Sequence, residues 1–192
     1  MLTNYQYDET AHREKLSFAF RKVFESNELT YFDEFLDSGL SHVMLDENND
    51  VQAFVLVQET PECVGNYEIA FLGVCSDYRK KGYAKFLVEI VLQLSGNKGV
   101  WLNVLRSNVP ACNLYKKLKF DESEKFVSDL GEPAVRFTWG IQYSCYDCKT
   151  VIKPSETIWE RLPTSYTITL HGPKQVLTLE SLCFYCRTRV EP

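Results

Sequence analysis

The chain has little that would mark a membrane, secreted or nucleotide-loop protein. Its apolar runs fall far short of the ~20 residues that a membrane-spanning helix needs. The opening Met1-Leu2-Thr3-Asn4-Tyr5 has neither a basic segment nor an apolar one, so no secretory signal is visible there. Neither Gly-x-Gly-x-x-Gly nor Gly-x-x-x-x-Gly-Lys-Ser/Thr occurs, which removes the two commonest phosphate-binding glycine loops. Internal repeats and low-complexity tracts are also missing. Histidine is scarce, and His12 and His42 stand apart from any Asp/Ser pattern. A Ser-His-Asp arrangement therefore has no support, and no histidine partners a nucleophilic cysteine.

What is present reads as a folded protein with a small appendage. At 192 residues, 45% hydrophobic, the chain can bury one good core with some length left over. The net charge of −5 is uneven: residues 1–142 carry −6 and residues 143–192 carry +1. An acidic main region favours a cationic acceptor and discourages non-specific nucleic-acid binding. Seven cysteines without a secretion signal point to a reducing, intracellular setting, cytoplasm and nucleus being indistinguishable.

The most informative stretch runs from Glu68 to Phe120. Glu68-Ile-Ala-Phe-Leu-Gly-Val-Cys75 is almost wholly apolar, as expected of a strand buried on both faces. From Tyr83 the period changes: Ala84, Leu87, Val88, Val91 and Leu92 lie on one face of an amphipathic helix. Between strand and helix stand Arg79, Lys80, Lys81 and Gly82. A helix start offers unpaired N–H groups and the positive end of the dipole, and glycine lets a ligand approach the backbone. Three cations there oppose the dipole unless an anion joins them, so the junction reads as a phosphate or pyrophosphate site. A basic helix start without a ligand is the alternative.

Arg79-x-x-Gly82-x-Ala84 after an apolar strand resembles the acetyl-CoA pyrophosphate loop of the GNAT acetyltransferase superfamily. Next come an expected strand, Val100 to Leu105, and Asn108-Val-Pro-Ala111-Cys-Asn-Leu114-Tyr115-Lys-Lys-Leu118-Lys-Phe120. The latter is similar to that superfamily's Asn-x-x-Ala-x-x-Leu-Tyr helix and its closing aromatic. The resemblance covers about residues 1 to 141 and is specific between 68 and 120. It implies an α/β fold: a mixed, mostly antiparallel sheet with flanking helices, whose central strands splay apart to admit the pantetheine arm. It also implies acetyl-CoA as co-substrate, Tyr115 as general acid and Glu68 as general base. Glu-Ile-Ala-Phe-Leu-Gly-Val looks like the branch that acetylates histones and protein lysines, which places its base at this strand's opening glutamate. By the same resemblance the backbone of Leu72 polarises the acetyl carbonyl and Val74 bonds the pantetheine. Lys80, Lys81, Gly82, Tyr83 and Ala84, with Arg79, cradle the pyrophosphate, and Asn108 holds the cofactor arm. A core tyrosine and a solvated strand-end glutamate are the plain alternatives for Tyr115 and Glu68. One departure is Lys119, which stands where the superfamily usually has a left-handed glycine.

The rest of the first region reads as helix over 8–26 (Leu16, Ala19, Phe20, Val23 and Phe24 on one face) and helix over 30–37 (Phe32, Phe35 and Leu36 inward). Gly39 is a plausible stop for the second. Strands at 41–45 and 51–58 flank a polar turn, and strands at 120–127 and 134–141 form a closing hairpin. Cys63, Cys75 and Cys112 read as structural.

Residues 143–192 form the second expected domain, after 1–142. Cys145-x-x-Cys148 and Cys183-x-x-Cys186, separated by 34 residues, offer four thiolates, enough for one tetrahedral structural Zn2+. Strands at 166–170 and 176–179 about a His171-Gly172-Pro173 turn complete what resembles a zinc ribbon with a long spacer. Two disulfides or a redox pair are the alternatives. Lys149, Lys153, Arg187 and Arg189 with Tyr146, Phe184 and Tyr185 could meet nucleic acid, but a charge of +1 argues for a solvated rim or a protein partner. The expected activity is acetyl transfer to an amine, foremost a protein lysine or N-terminus. A non-catalytic GNAT-fold subunit and a small-amine acetyltransferase are the competing readings.

Overall fold

The computed structural model describes residues 2–24, 32–33, 35–59, 66–128, 131–141 and 143–144. Beyond these it describes only the backbone of short strands between 151 and 182. The chain divides into two units, Met1–Gly140 and Ile141–Pro192.

The first unit follows the hydrophobic periodicity closely. Strand β1 (Thr3–Gln6) leads to helix α1 (Glu9–Val23), whose N-cap Asp8 accepts the Ala11 N–H at 2.7 Å. Leu16, Ala19 and Phe20 face inward at helical spacing and are fully buried. Strands β2 (His42–Leu45) and β3 (Val51–Glu59) flank a turn in which Asp46 Oδ1 accepts the N–H groups of Asn48 and Asp50. Strand β4 (Tyr67–Val74) crosses over through helix α2 (Tyr83–Leu94) to strand β5 (Val100–Leu105). Helix α3 (Val109–Lys117) and the hairpin of β6 (Asp121–Val127) and β7 (Pro133–Trp139) complete the unit.

The seven strands form one sheet in the order β1-β2-β3-β4-β5-β7-β6. Every pairing is antiparallel except β4–β5, which the crossover makes parallel. Two apolar layers result. Leu87, Val88 and Val91 of α2 and Tyr115 of α3 pack on Val55, Val57, Ile69, Leu102 and Phe137. On the other face Leu16, Ala19 and Phe20 of α1 pack on Val43, Phe54 and Leu56, with Phe71 at the layer's margin. Phe20 lies 4.7 Å from Phe32 and 4.9 Å from Phe71, ring centre to ring centre. A Cβ on Gly73 would fall 2.4 Å from the Phe54 ring, so this strand position accepts only glycine without repacking.

Among the described residues three positions depart from expectation. The helix expected over 30–37 lies partly outside the described residues. Within them, residues 32–33 are helical and 35–38 are not, because Ser38 donates both its N–H and its hydroxyl to Val57 O. Phe32 and Phe35 are buried as expected, but Leu36 is 78% exposed. The closing strand stops at Trp139 rather than 141, where Gly140 turns left-handed. Lys119 occupies the left-handed turn after α3 (φ 66°), and the Phe120 N–H bonds Tyr115 O in a Schellman-type closure.

In the second unit three antiparallel strand pairs are described: Tyr143–Ser144 with Val151–Ile152, Ile158–Arg161 with Leu179–Leu182, and Ser165–Thr169 with Gly172–Val176. The expected hairpin is present but tighter. Thr169 pairs with Gly172, so Gly172 and Pro173 lie in the returning strand instead of the turn, and Leu179 opens a different pair. Cys145, Cys148, Cys183 and Cys186 lie outside the described residues, as does Cys63. Among the described residues no helix is long and apolar enough to cross a membrane.

Candidate active site

The site is built where β4 and β5 part. They pair through only two registers, Tyr67↔Val100 and Glu68↔Trp101, although each strand continues for several residues. The closed end is pinned. Tyr67 N–H donates to Gly99 O at 2.9 Å and Gly99 N–H to Asn66 Oδ1 at 2.8 Å. Lys98 Nζ bonds Glu59 at 2.7 Å and sits over the Tyr67 ring at 4.5 Å. Beyond Glu68 each strand keeps its outer partner, β3 or β7, and the two lean apart.

The opened edge of β4 offers backbone groups to the gap. Cys75 N–H points to β3, bonding Gln52 O at 2.8 Å. Successive residues of a strand point their N–H and C=O groups to alternate sides, so Val74 and Leu72 direct theirs away from β3, into the gap. Val74 O meets Arg79 Nε at 3.0 Å, consistent with that direction.

A bulge sets the side chains. Val57 pairs with Ile69 and Leu56 with Phe71, leaving Ala70 unopposed. It flips the alternation, so Leu72 and Val74 pack toward α2 and α3 while Glu68 belongs to the α1 face.

At its far end the gap meets the start of α2. Lys80 (φ 61°) and Gly82 (φ 88°) are both left-handed, which bends the loop into a backbone concavity. The first helical bond is Phe86 N–H to Gly82 O, so the N–H groups of Gly82, Tyr83, Ala84 and Lys85 have no acceptor among the described residues. The first turn holds no acidic side chain, and Gly82 supplies no side-chain cap. Lys80 and Lys81 are exposed, Lys81 Nζ lying 5.0 Å above the Tyr78 ring. Four orphaned donors and unneutralised cations at a dipole's positive end make an anion site.

Tyr115 projects from α3 into the core and is 5% exposed, with Phe120 at 5.5 Å and Phe137 at 5.7 Å. Its hydroxyl has no protein acceptor among the described residues. Burial, and secondarily the neighbouring Cys112, hold the phenol well above its ordinary value, so it stays a proton donor throughout the neutral range. Asn108 is the N-cap of α3: its Oδ1 accepts the Ala111 N–H at 3.2 Å, leaving its amide N–H groups for any other partner.

Glu68 is half-buried on the α1 face, at the last register before the strands part. Gln58 Nε2 donates to Glu68 Oε2 at 2.8 Å. Trp101, across the parallel pair, is 2% exposed, and its indole N–H is buried without an acceptor. Arg136 lies 4.5 Å above that indole and donates to Asn103 Oδ1 at 3.1 Å. Sequence reasoning did not single out Gln58, Trp101, Asn103 or Arg136. A signal existed for Gln58, a polar residue closing an apolar run, and for Trp101 and Asn103, which alternate with Val100 and Leu102.

The fold has solved counterparts. A search of curated proteins finds no match. The ribosomal-protein-S18-alanine N-acetyltransferase of Escherichia coli superposes with a TM-score of 0.61 at 19% identity, covering 78% of this chain and all (100%) of that one. A chain of the NatC complex bound to Gag peptide and CoA gives 0.61 at 20% identity, covering 73% and 98%. NAA60 of Arabidopsis thaliana with a bisubstrate analogue gives 0.55 at 21%, covering 73% and 99%. At such identities these likenesses speak for the fold alone. The sequence itself carries the assignment: residues 8–120, over half the chain, match the profile of the Acetyltransferase (GNAT) family, and the chain belongs to that family of acetyltransferases.

Proposed function

We propose that this protein transfers an acetyl group from acetyl-CoA to a protein amine, an N-terminal α-amine or a lysine. The observation that carries the reading is the β4–β5 gap, which runs from a carboxylate at its closed end to orphaned helix N–H groups at its open end. A diphosphate would occupy the concavity at Lys80, Lys81, Gly82, Tyr83 and Ala84, with Arg79 adding charge at its edge. The pantetheine arm would extend along β4 as a surrogate strand, bonded by Val74, and the thioester carbonyl would accept from the Leu72 N–H. The amide of Asn108 would face the arm from α3.

In the reaction the amine nitrogen attacks the thioester carbon, forming C–N as C–S breaks. Glu68 takes the proton that the amine loses, and Tyr115 gives its proton to the departing thiolate and regains one from solvent. A buried phenol kept neutral suits that donor role, and an N–H on the oxyanion stabilises the developing charge. A protein acceptor is supported by the neighbours' substrates: one holds a Gag peptide and another is named for acetylating a ribosomal protein's alanine. The four thiolates of Cys145, Cys148, Cys183 and Cys186 would close a zinc site with no open position, a structural metal and not a catalytic one.

The test is release of CoA thiol from acetyl-CoA with three acceptors: peptides with a free N-terminus, N-blocked peptides containing lysine, and a polyamine. Turnover is expected with one of the peptide classes. Tyr115→Phe and Glu68→Gln should each lower kcat by roughly 10²-fold or more, with acetyl-CoA affinity retained. Acetyl-CoA binding without turnover on any amine would overturn the enzymatic reading, and turnover on the polyamine alone would overturn the protein acceptor.

A further inference from the structure

We infer that Gln58 is the positioning residue for Glu68, holding one carboxylate oxygen so that the ionised form presents the other to the incoming amine. The inference rests on reading Glu68 as the base. Gln58 and Glu68 stand directly opposite in the β3–β4 ladder, joined by the 2.8 Å bond from Nε2 to Oε2. Directly opposed cross-strand pairs share one face and reach each other without distorting either side chain.

The surroundings restrict the pair further. The five β3 residues before Gln58, Ala53 to Val57, are all completely buried and apolar. Gln58 is thus the first polar side chain along β3 after that run, and it comes where Glu68 needs a donor. The bulge at Ala70 lies two residues beyond Glu68 and ties the register, so a slip cannot exchange Gln58 for Val57. On the opposite flank Trp101 stands in register with Glu68 as a nearly sealed wall, itself covered by the Arg136 guanidinium. Gln58, Glu68 and Trp101 therefore form one row across three strands, at the point where β4 and β5 separate.

The amide is suited to this task because it does not titrate. Donated to a carboxylate, its N–H favours the charged form, the form able to take a proton. A carboxylate with one oxygen engaged also loses rotational freedom, and aligned groups react faster than free ones. A merely structural cross-strand pair would do neither: losing it would alter stability and leave the ionisation of the catalytic step where it was.

The experiment measures kcat/KM for one peptide acceptor across about pH 5 to 9, with acetyl-CoA affinity and melting temperature alongside. Gln58→Met, Gln58→Glu and Glu68→Gln are compared with Gln52→Met, a glutamine of the same strand that bonds Asp46 at the distant turn. Gln58→Met should move the acid limb upward by about one pH unit, with the plateau regained at higher pH. Gln58→Glu should move it further, since two carboxylates at hydrogen-bond distance share a proton. Acetyl-CoA affinity should hold in both, and Gln52→Met should reproduce the parent profile. An acid limb unmoved in both Gln58 variants, or a uniform loss of rate without a limb shift, overturns the role of Gln58 even if Glu68→Gln is inactive. Full activity in Glu68→Gln removes the base itself, a separate failure. Should Gln58→Met fold poorly, the near-isosteric Gln58→Glu decides.

Discussion

Helix α2 provides its own control for the diphosphate site, because a left-handed glycine stands at each end. Gly82 precedes the helix (φ 88°) and Gly96 follows it (φ 62°), and an added Cβ at either position would meet no atom within 4 Å. Alanine at either site therefore brings backbone strain and no protein clash. The strain is about 1–2 kcal/mol, partly offset by the ~0.4–1 kcal/mol that alanine recovers through a less free unfolded chain. Each variant should lose about 1 kcal/mol, or about 2–4 °C in Tm for a chain of this size. Only at Gly82 does the methyl stand between the backbone N–H groups and a diphosphate. Losing one charge-assisted bond there costs about 1.5–3 kcal/mol, so CoA should bind roughly 10- to 100-fold more weakly. Calorimetric titration of both variants with CoA, and with acetyl-pantetheine, which lacks the diphosphate, separates the effects. Acetyl-pantetheine should bind the two alike. If Gly82→Ala keeps the CoA affinity of Gly96→Ala, the anion is not held by this helix start and the site is misplaced.

Lys119→Gly relieves a left-handed lysine while keeping the closure of Phe120 N–H on Tyr115 O, and should raise stability by about 0.5–1 kcal/mol in a urea titration. No gain would mean that the turn carries no strain. His42, buried beside Asn4, is held below its ordinary value of 6.5, chiefly by burial. As pH falls through 6.5 the unfolded chain takes up a proton that the folded chain refuses, so stability should drop there, and His42→Gln should flatten that part of the denaturation-versus-pH curve. In the second unit, elemental analysis should find about one zinc per chain, released by thiol modification without loss of CoA affinity. Metal-free protein with two disulfides by mass would refute the zinc site.

Much of this protein is legible before any folding is considered. The alternation of Val100 to Leu105, the inward stripe of α1, and the capping residues Asp8 and Asn108 are local facts, and local sequence writes them. Arg79 to Gly82 likewise announces an anion, because cations before a helix lack any local partner. Leu36 shows where such reading fails: helical spacing put it inward, but Ser38, captured by Val57 O, draws the chain out of the helix.

The sequence by itself determined the elements, their order and the chemical character of the loop before α2. Tertiary structure alone decided where β4 and β5 stop pairing, since that depends on what β3 and β7 hold on their outer sides. It also decided that Ala70 bulges, which puts Glu68 on one face of the sheet and Leu72 and Val74 on the other. Asn108 could have spent its oxygen on a ligand, but the helix behind it takes that bond. Gln58 meets Glu68 only because two strands align. Periodicity carries information along a chain as far as the next bulge or turn, whereas a catalytic carboxylate's partners lie across strands, and only the folded register brings them to it.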